Sequence, residues 1–272
     1  MKWASHAGRW IGIVFRPERR RELAVFVAVL ALAVAALTPF AALDRTPAQD
    51  EGSAREVPPL RTAGFDDLFE PGRAVTSAGR PGTIETRQAG RLDVPSGKLI
   101  ACDPFVQGGD PGYEKPFTVT VAPGRYPVWV SLVRYQGDSE QTYSMVAAVK
   151  VAIRTAPAVR WELALQPGQD PGELEPDHFY GFGVDTGTGA FLDASAGRAL
   201  SNLATSDGLL VERLDGAYIT DIRDPATRMN IVAYYSGWGD GAYPTWIGRA
   251  ADGAPTAFVT DLHVIDYRAQ PS

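Results

Sequence analysis

The chain is poor in the residues that build disulfide frameworks and metal centres. Its 272 residues include one cysteine, Cys102, and three histidines. A single cysteine excludes an intrachain disulfide. No HxH, HExxH or CxxC spacing occurs, so the sequence does not favour a zinc site. The GxSxG elbow of many hydrolases and the GxxxxGK[ST] phosphate loop are absent as well.

Basic residues are scarce beyond the first 22 positions. Residues 1–22 contain six basic and two acidic side chains, whereas the remainder contains 20 basic and 30 acidic ones. An acidic surface repels the phosphates of nucleic acids. The composition therefore argues against nucleic acid as a partner.

The basic N-terminus is followed by a long apolar run. Residues 23–37 are apolar, and the uncharged stretch continues to residue 43, which gives 21 residues in all. As a helix at about 1.5 Å per residue they would span roughly 31 Å, the thickness of a hydrocarbon core. Since basic residues precede the run, the positive-inside rule predicts a cytoplasmic tail at 1–22 and a signal-anchor helix at 23–43. The protein is then a single-pass protein of the cell membrane with an extracytoplasmic C-terminal domain.

Two other interpretations of this run are open. A secretory signal peptide would be cleaved, with the best site after Ala36, but such peptides have a shorter basic region. A buried helix of a globular core would keep a polar face, and residues 23–37 leave none. A membrane segment that is retained is the preferred interpretation.

The remaining chain divides into a linker and a domain. Residues 44–61 are rich in proline, alanine and charge without an apolar period, which is typical of a flexible tether. Residues 62–268 form the predicted β-rich domain. Its first apolar cluster, Phe65, Leu68 and Phe69, predicts one helical turn that docks on the edge of this domain.

Short runs rich in valine, isoleucine and aromatic residues predict strands. They lie at residues 117–121, 126–135, 143–153, 159–165, 179–184, 229–235 and 257–265. A helical insertion is predicted between Ala194 and Leu214, with a break at Asp207 and Gly208. The fold class is therefore mainly β, a single antiparallel β-sandwich or curled-sheet domain with a short helical insertion, plus the N-terminal transmembrane helix.

The segment VDTGTGAFLD, residues 184–193, allows four interpretations. Asp-Thr-Gly is the catalytic tripeptide of aspartic proteases, which need two such aspartates, and this chain has one. A glycine turn after an aspartate also occurs in phosphate loops. Asp185 and Asp193 are candidate oxygen ligands for Ca²⁺, although the loop lacks the dense carboxylates of strong sites. The preferred interpretation is a hairpin in which Gly187 and Gly189 take positive φ.

Two further segments carry candidate site residues. Asp103, just before Pro104, is a candidate functional carboxylate or a cap for local N–H groups. In SGWGDGAYPTW, residues 236–246, three glycines permit tight turns, and Asp240 followed by Gly241 predicts a hairpin. Trp238 is expected at its tip and Trp246 in the core. The candidate ligand-binding residues are Asp103, Asp185, Asp193, Trp238, Asp240, Tyr243 and Trp246.

Several segments together carry a resemblance to a known family. PSGKLIACDP, VAPGRYPV, YGFGVDTGTGAFLD, NIVAYYSGWGDGAYPTWIGR and FVTDLHV occur in this order between residues 62 and 267. The series resembles the bacterial domain-of-unknown-function family numbered 4241, and GVDTGTG and GWGDG are its most specific blocks. The resemblance implies no activity, cofactor or catalytic residue.

Two classes of function follow. The first is a membrane-tethered extracytoplasmic module that binds an unknown ligand or protein partner at the strand ends near Asp185 and Trp238. Aromatic rings exposed there would suit sugar rings. The second is a carboxylate- or metal-dependent hydrolase that uses Asp103, Asp185, Asp193 and Asp240. Paired acid–base catalysis would require two of these carboxylates about 5–10 Å apart in an open cleft.

The membrane orientation predicts the outcome of a reporter fusion. A reporter enzyme that is active only outside the cytoplasm, joined after Ser272, should be active, because the single span places the C-terminus across the membrane. A cytoplasm-specific reporter at the same position should be inactive. Activity of the cytoplasmic reporter would contradict the orientation.

Overall fold

The computed structural model describes residues 62–110, 112–136, 142–205 and 208–267. These residues form a mainly β domain with a curled antiparallel sheet and few helices. The predicted tail, the membrane segment and the tether lie outside the described residues. In the part of the chain that is described, no helix is long and apolar enough to cross a membrane.

The largest sheet has seven antiparallel strands in the order β1-β2-β4-β5-β13-β12-β6. Its longest contact joins β2 to β4, which pair from Gly82↔Tyr135 to Val94↔Gly124. The strands are β1 (Ala74–Ser77), β2 (Arg80–Val94), β4 (Gly124–Gln136), β5 (Thr142–Ala152), β6 (Arg160–Leu163), β12 (Thr245–Arg249) and β13 (Pro255–Asp261).

A second sheet has four antiparallel strands in the order β3-β8-β10-β9. They are β3 (Leu99–Cys102), β8 (Thr188–Asp193), β9 (Ile219–Arg223) and β10 (Asn230–Tyr235). Its central strands are buried on both faces: Val232 and Tyr234 of β10 face the larger sheet, whereas Ile231 and Ala233 face the helices. Burial on both faces explains why β8 and β10 read as nearly continuous apolar runs instead of alternating ones.

The helices cover the outer face of the four-stranded sheet. They are α1 (Pro104–Gly109), α2 (Gly197–Leu203) and α3 (Leu209–Leu214). Leu200 and Leu203 of α2 and Leu210 of α3 pack on this sheet in a second apolar cluster. The predicted helical insertion is thus confirmed, with its break between α2 and α3, whereas α1 was not predicted. The layers are large sheet, small sheet and helices.

Two predicted hairpins are wrong. β7 (Phe182–Val184) pairs with β11 (Gly241–Tyr243) in a two-stranded ribbon. β7 therefore does not pair with β8, and β11 does not pair with β10, although these strands are neighbours in sequence. Residues 185–187 and 236–240 are therefore crossovers between sheets. Glycine turns mark where the chain changes direction, but they do not determine the partner of the next strand.

Six of the seven predicted strands overlap strands of the structure. Those at residues 126–135, 143–153, 159–165, 179–184, 229–235 and 257–265 overlap β4, β5, β6, β7, β10 and β13. The strand at 117–121 is wrong, although Phe117 N donates to Leu99 O and Val121 N donates to Gly97 O. These isolated bonds fix an irregular segment whose first and last residues, Phe117 and Val121, are buried.

The N-terminal helical turn is confirmed as a 3₁₀ helix, Phe65–Phe69. Phe65 is fully buried, and its ring stacks on Trp246 and meets Trp161 edge-on, with centroids 5.0 Å apart in both pairs. Trp246 is buried as predicted. The turn thus fills the aromatic core against β6 and β12, and the folded domain includes the segment that begins near residue 62.

Substitution of Phe65 tests this role. Phe65→Ala should lower the free energy of unfolding by about 3–5 kcal/mol, because it removes a buried ring and leaves a cavity between two tryptophans. Val159→Ala, at a position 63% exposed, is the control and should change stability by less than about 0.5 kcal/mol. Urea denaturation measures both, and equal midpoints would show that the 3₁₀ helix is not part of the core.

Candidate functional site

Asp103 is a buried structural carboxylate. It caps α1 by accepting from Phe105 N at 2.9 Å and Val106 N at 3.4 Å. Its second oxygen accepts from the backbone N–H groups of Asp185 and Thr186, both at 2.9 Å, and the Thr186 hydroxyl donates to the same carboxylate. The side chain is fully buried. The carboxylate therefore joins α1 to the loop of residues 185–187, and its oxygens are engaged within the protein.

The neighbouring Cys102 is also enclosed. Its side chain in β3 is fully buried. Burial, followed by the nearby carboxylates of Glu114 and Asp103, raises the pKa of the thiol well above its usual value. Because the thiolate is the reactive form, this cysteine is a packing residue and not a nucleophile.

Asp240 links the two glycine-rich loops. It accepts a hydrogen bond from Gly187 N at 3.0 Å, and Ser236 N donates to Gly187 O at 3.0 Å. Asp185 and Asp240 are both exposed. The structure thus brings Asp103, Asp185 and Asp240 to one loop, but only the last two reach solvent.

The loop of residues 236–240 requires glycine at its second position. Gly237 has φ +63°, and a Cβ there would lie 2.7 Å from Val264 Cγ2 and 3.1 Å from the carbonyl oxygen of Val146. Only a residue without a side chain fits so close to β5. Gly187, Gly239 and Gly241 also have positive φ, whereas Gly189 is extended within β8, contrary to the prediction.

Trp238 stands at the surface beside this loop. It is 38% exposed, and its indole N–H donates to His263 O at 3.0 Å. Tyr218 and Tyr235 are exposed to 38% and 40%. The three rings line an open cleft of about 340 Å³ together with Ser144, Met145, Val146, Gly187, Gly237 and Gly239. We call it the aromatic cleft.

The other predicted site residues lie elsewhere. Asp193 is fully buried and accepts from Ser96 N at 3.0 Å and Ser195 N at 2.8 Å, so it caps the 3₁₀ turn after β8. Trp246 is in the core. Tyr243 is buried in β11, where its hydroxyl donates to Gly239 O at 2.8 Å and burial raises its pKa. None of these three residues faces solvent.

The positions of Asp185 and Asp193 test the calcium hypothesis. The extended strand β8 runs between Asp185 and Asp193 and by itself covers about 17 Å at roughly 3.4 Å per residue. The two carboxylates therefore cannot bind the same ion. Within the described ranges, no group of three or more His, Cys, Asp or Glu side chains is placed to hold a metal.

The sequence interpretation identified only one of the three rings of the aromatic cleft. Trp238 was selected because glycines surround it, but Tyr218 and Tyr235 follow no special turn signal. They meet because β9 and β10 pair, which brings Tyr218 O to accept from Tyr235 N at 3.1 Å. Ser144 and Met145 of β5 come from another sheet altogether. Tyr235 ends the predicted strand at 229–235, whereas Tyr218 lies in no predicted element.

Comparison with known proteins identifies the family of this chain. A family model described as "Protein of unknown function (DUF4241)" matches residues 92–260, more than half of the chain. The chain belongs to the DUF4241 family. No curated protein and no solved structure matches it. The family match begins near the end of β2, so the 3₁₀ helix with Phe65, β1 and most of β2 lie outside it although they complete the fold of this DUF4241 domain.

The role of Asp103 can be tested against its exposed neighbour. Asp103→Ala should lower the free energy of unfolding by about 2–4 kcal/mol, because it removes a helix cap and leaves the N–H groups of Asp185 and Thr186 unpaired. Asp185→Ala, in the same loop, is the control and should cost less than about 0.5 kcal/mol. Thermal unfolding of both variants measures the difference. A stable Asp103→Ala protein would contradict the structural role.

Proposed function

We propose that this DUF4241 domain is a binding module, and that its ligand site is the aromatic cleft. The observation that carries the proposal is the grouping of Trp238, Tyr218 and Tyr235, each more than a third exposed, around one cleft. Isolated exposed aromatic side chains are common, but a cleft lined by several of them favours binding. Its volume of about 340 Å³ suits a small group or a short chain segment.

The setting of the cleft supports the proposal. The loop of residues 236–240 is held by Ser236, whose hydroxyl donates to Gly239 O at 2.8 Å, and by the Tyr243 hydroxyl on the same carbonyl. The position of Trp238 is therefore fixed before a ligand arrives. A preformed site loses less conformational entropy on binding.

The proposal extends to the location of the protein. Residues 23–43 would hold the domain at the membrane, and the charge distribution around them would place it outside the cytoplasm. The partner is then an extracytoplasmic ligand or protein.

The carboxylates do not favour the hydrolase hypothesis. Two of its four residues, Asp103 and Asp193, are fully buried and accept hydrogen bonds from the protein itself. Catalytic acid–base pairs need access to substrate. We therefore retain binding as the proposed function.

Substitution of Trp238 provides the test. Trp238→Ala should lower the free energy of unfolding by only about 1–2 kcal/mol, since it removes a half-exposed ring and one hydrogen bond. The same change at the buried Trp246 should cost about 3–5 kcal/mol. Trp238→Ala should also weaken binding by roughly tenfold or more, since aromatic residues dominate binding energies.

The probes for this test are neutral oligosaccharides of two to six glucose or N-acetylglucosamine units and short peptides of either charge. Binding to the full chain in detergent is measured by calorimetry for the wild type and for Trp238→Ala. At least one probe should lose affinity with the variant. A panel in which no compound distinguishes the two proteins would contradict the proposal.

A further inference from the structure

Two rings of the aromatic cleft are held by their polar atoms. The indole N–H of Trp238 donates to His263 O at 3.0 Å, and the hydroxyl of Tyr235 donates to Leu214 O at 2.9 Å. An indole has no second donor and no acceptor. These two rings, exposed to 38% and 40%, therefore present mainly carbon to a ligand in the cleft, and Tyr218 adds a third exposed ring.

Two backbone carbonyl groups of the lining residues already accept hydrogen bonds within the protein. Gly239 O accepts from the hydroxyls of Ser236 and Tyr243, both at 2.8 Å, and so uses both of its lone pairs. Gly187 O accepts from Ser236 N at 3.0 Å. A sugar hydroxyl or a primary ammonium group would lose its hydrogen bonds to water without regaining them from these carbonyls, which costs binding free energy. The cleft therefore favours a ligand group that needs no hydrogen bonds.

The charges around the cleft favour a cation over a neutral group. Asp185 and Asp240 are exposed on the loops that carry glycines of the lining. Arg134 pairs with the lining residue Ser144 in the register of β4 and β5, but its guanidinium lies 4.0 Å from the carboxylate of Glu85. The faces of aromatic rings also carry negative potential. Carboxylates and ring faces together attract positive charge.

We propose that the aromatic cleft binds a small molecule through a trimethylammonium group. This group is positively charged and has no N–H to satisfy, and its methyl groups contact the rings of Trp238, Tyr218 and Tyr235 in cation–π interactions. The cleft volume of about 340 Å³ lies at the lower end of small-molecule sites and leaves room for the rest of such a ligand. This inference rests on the proposed function, because it names the ligand class of the same cleft.

The experiment adds three matched small molecules to the panel of probes. They are choline, the neutral alcohol in which carbon replaces the charged nitrogen of choline, and ethanolamine, which has a primary ammonium group. Calorimetric titration of the full chain uses a polyoxyethylene detergent, which carries neither sugar nor ammonium. The neutral alcohol has the shape of choline but should bind roughly tenfold or more weakly, because it lacks the cation–π attraction. Ethanolamine should also bind roughly tenfold more weakly, because its N–H groups lose water without finding acceptors.

Two variants of one exposed ring test the contact with its face. Tyr218→Leu keeps an apolar side chain but removes the aromatic face, so choline should bind about fivefold or more weakly. Tyr218→Phe removes only the hydroxyl and should recover most of the affinity that Tyr218→Leu loses. Equal losses in the two variants would show that the hydroxyl, and not the ring face, contacts the ligand, and would overturn the cation–π contact.

Removal of the two carboxylates tests the contribution of charge. The double variant Asp185→Asn and Asp240→Asn should weaken choline binding about three- to tenfold at low salt and leave the neutral alcohol unaffected. Asparagine keeps the oxygen that accepts from Gly187 N at position 240, so the loop retains this hydrogen bond. Asp252→Asn, beyond the opposite end of β13, is the matched control and should leave the affinity for choline unchanged.

The outcomes distinguish this inference from the proposed function. If choline, the neutral alcohol and ethanolamine bind equally and Trp238→Ala weakens all three, the ligand class is wrong and the aromatic cleft remains the site. The same conclusion follows if choline does not bind while an oligosaccharide or a peptide binds in a Trp238-dependent manner. Choline binding that is unaffected by Trp238→Ala would contradict the proposed function itself.

One further probe separates two sources of the trimethylammonium group. Glycerophosphocholine, the soluble part of a phosphatidylcholine headgroup, keeps this group and adds a phosphate. The phosphate is repelled by Asp185 and Asp240, so this probe should bind more weakly than choline. Tighter binding of glycerophosphocholine would identify a lipid headgroup as the ligand and overturn the assignment to a small molecule.

Discussion

The buried carboxylate of Asp103 is the interaction on which the site depends. It holds the N–H groups of Asp185 and Thr186 against the start of α1, and the next residue, Gly187, bonds to both Asp240 and Ser236. The loop that carries Trp238 is thus tied to the helical layer through a continuous chain of hydrogen bonds. A buried charge is retained at such a position when its donors are supplied by several segments that must stay together.

The order of the layers explains why the cleft forms where it does. The four-stranded sheet is apolar on both faces, so it must lie between the large sheet and the helices. The chain has to leave this sheet after β10 and rejoin the large sheet at β12. The glycine-rich residues 236–240 make that passage next to β5, where Gly237 fits against Val146 and Val264. The cleft is the space left beside the crossover.

Much of the fold could be predicted from local patterns, because β4, β5 and β13 have the composition of strands and α2 and α3 have helical spacing. β2 was harder, since its glycine, proline and arginine residues contradict strand propensity and its order comes from pairing with β4. The predicted hairpins at Gly187 and Gly241 were wrong, because a turn does not determine which strand the next strand pairs with. Trp238 and Asp240 were identified from their glycine neighbours. Tyr218 and Tyr235 were not, because they meet only through the pairing of β9 with β10.

The turn after β13 positions one ring of the aromatic cleft. The buried carboxylate of Asp261 accepts from His263 N at 3.0 Å and from the Tyr267 hydroxyl at 2.6 Å, so the chain bends away at the end of β13. His263 takes a left-handed conformation with φ +54°, which is costly for a residue with a side chain. The bend ends the pairing with β5 after Ala147 and presents His263 O to the indole of Trp238. Had β13 continued in register, the carbonyl of His263 would no longer be placed to accept from the indole. The left-handed conformation of His263 therefore accompanies the orientation of an exposed aromatic side chain.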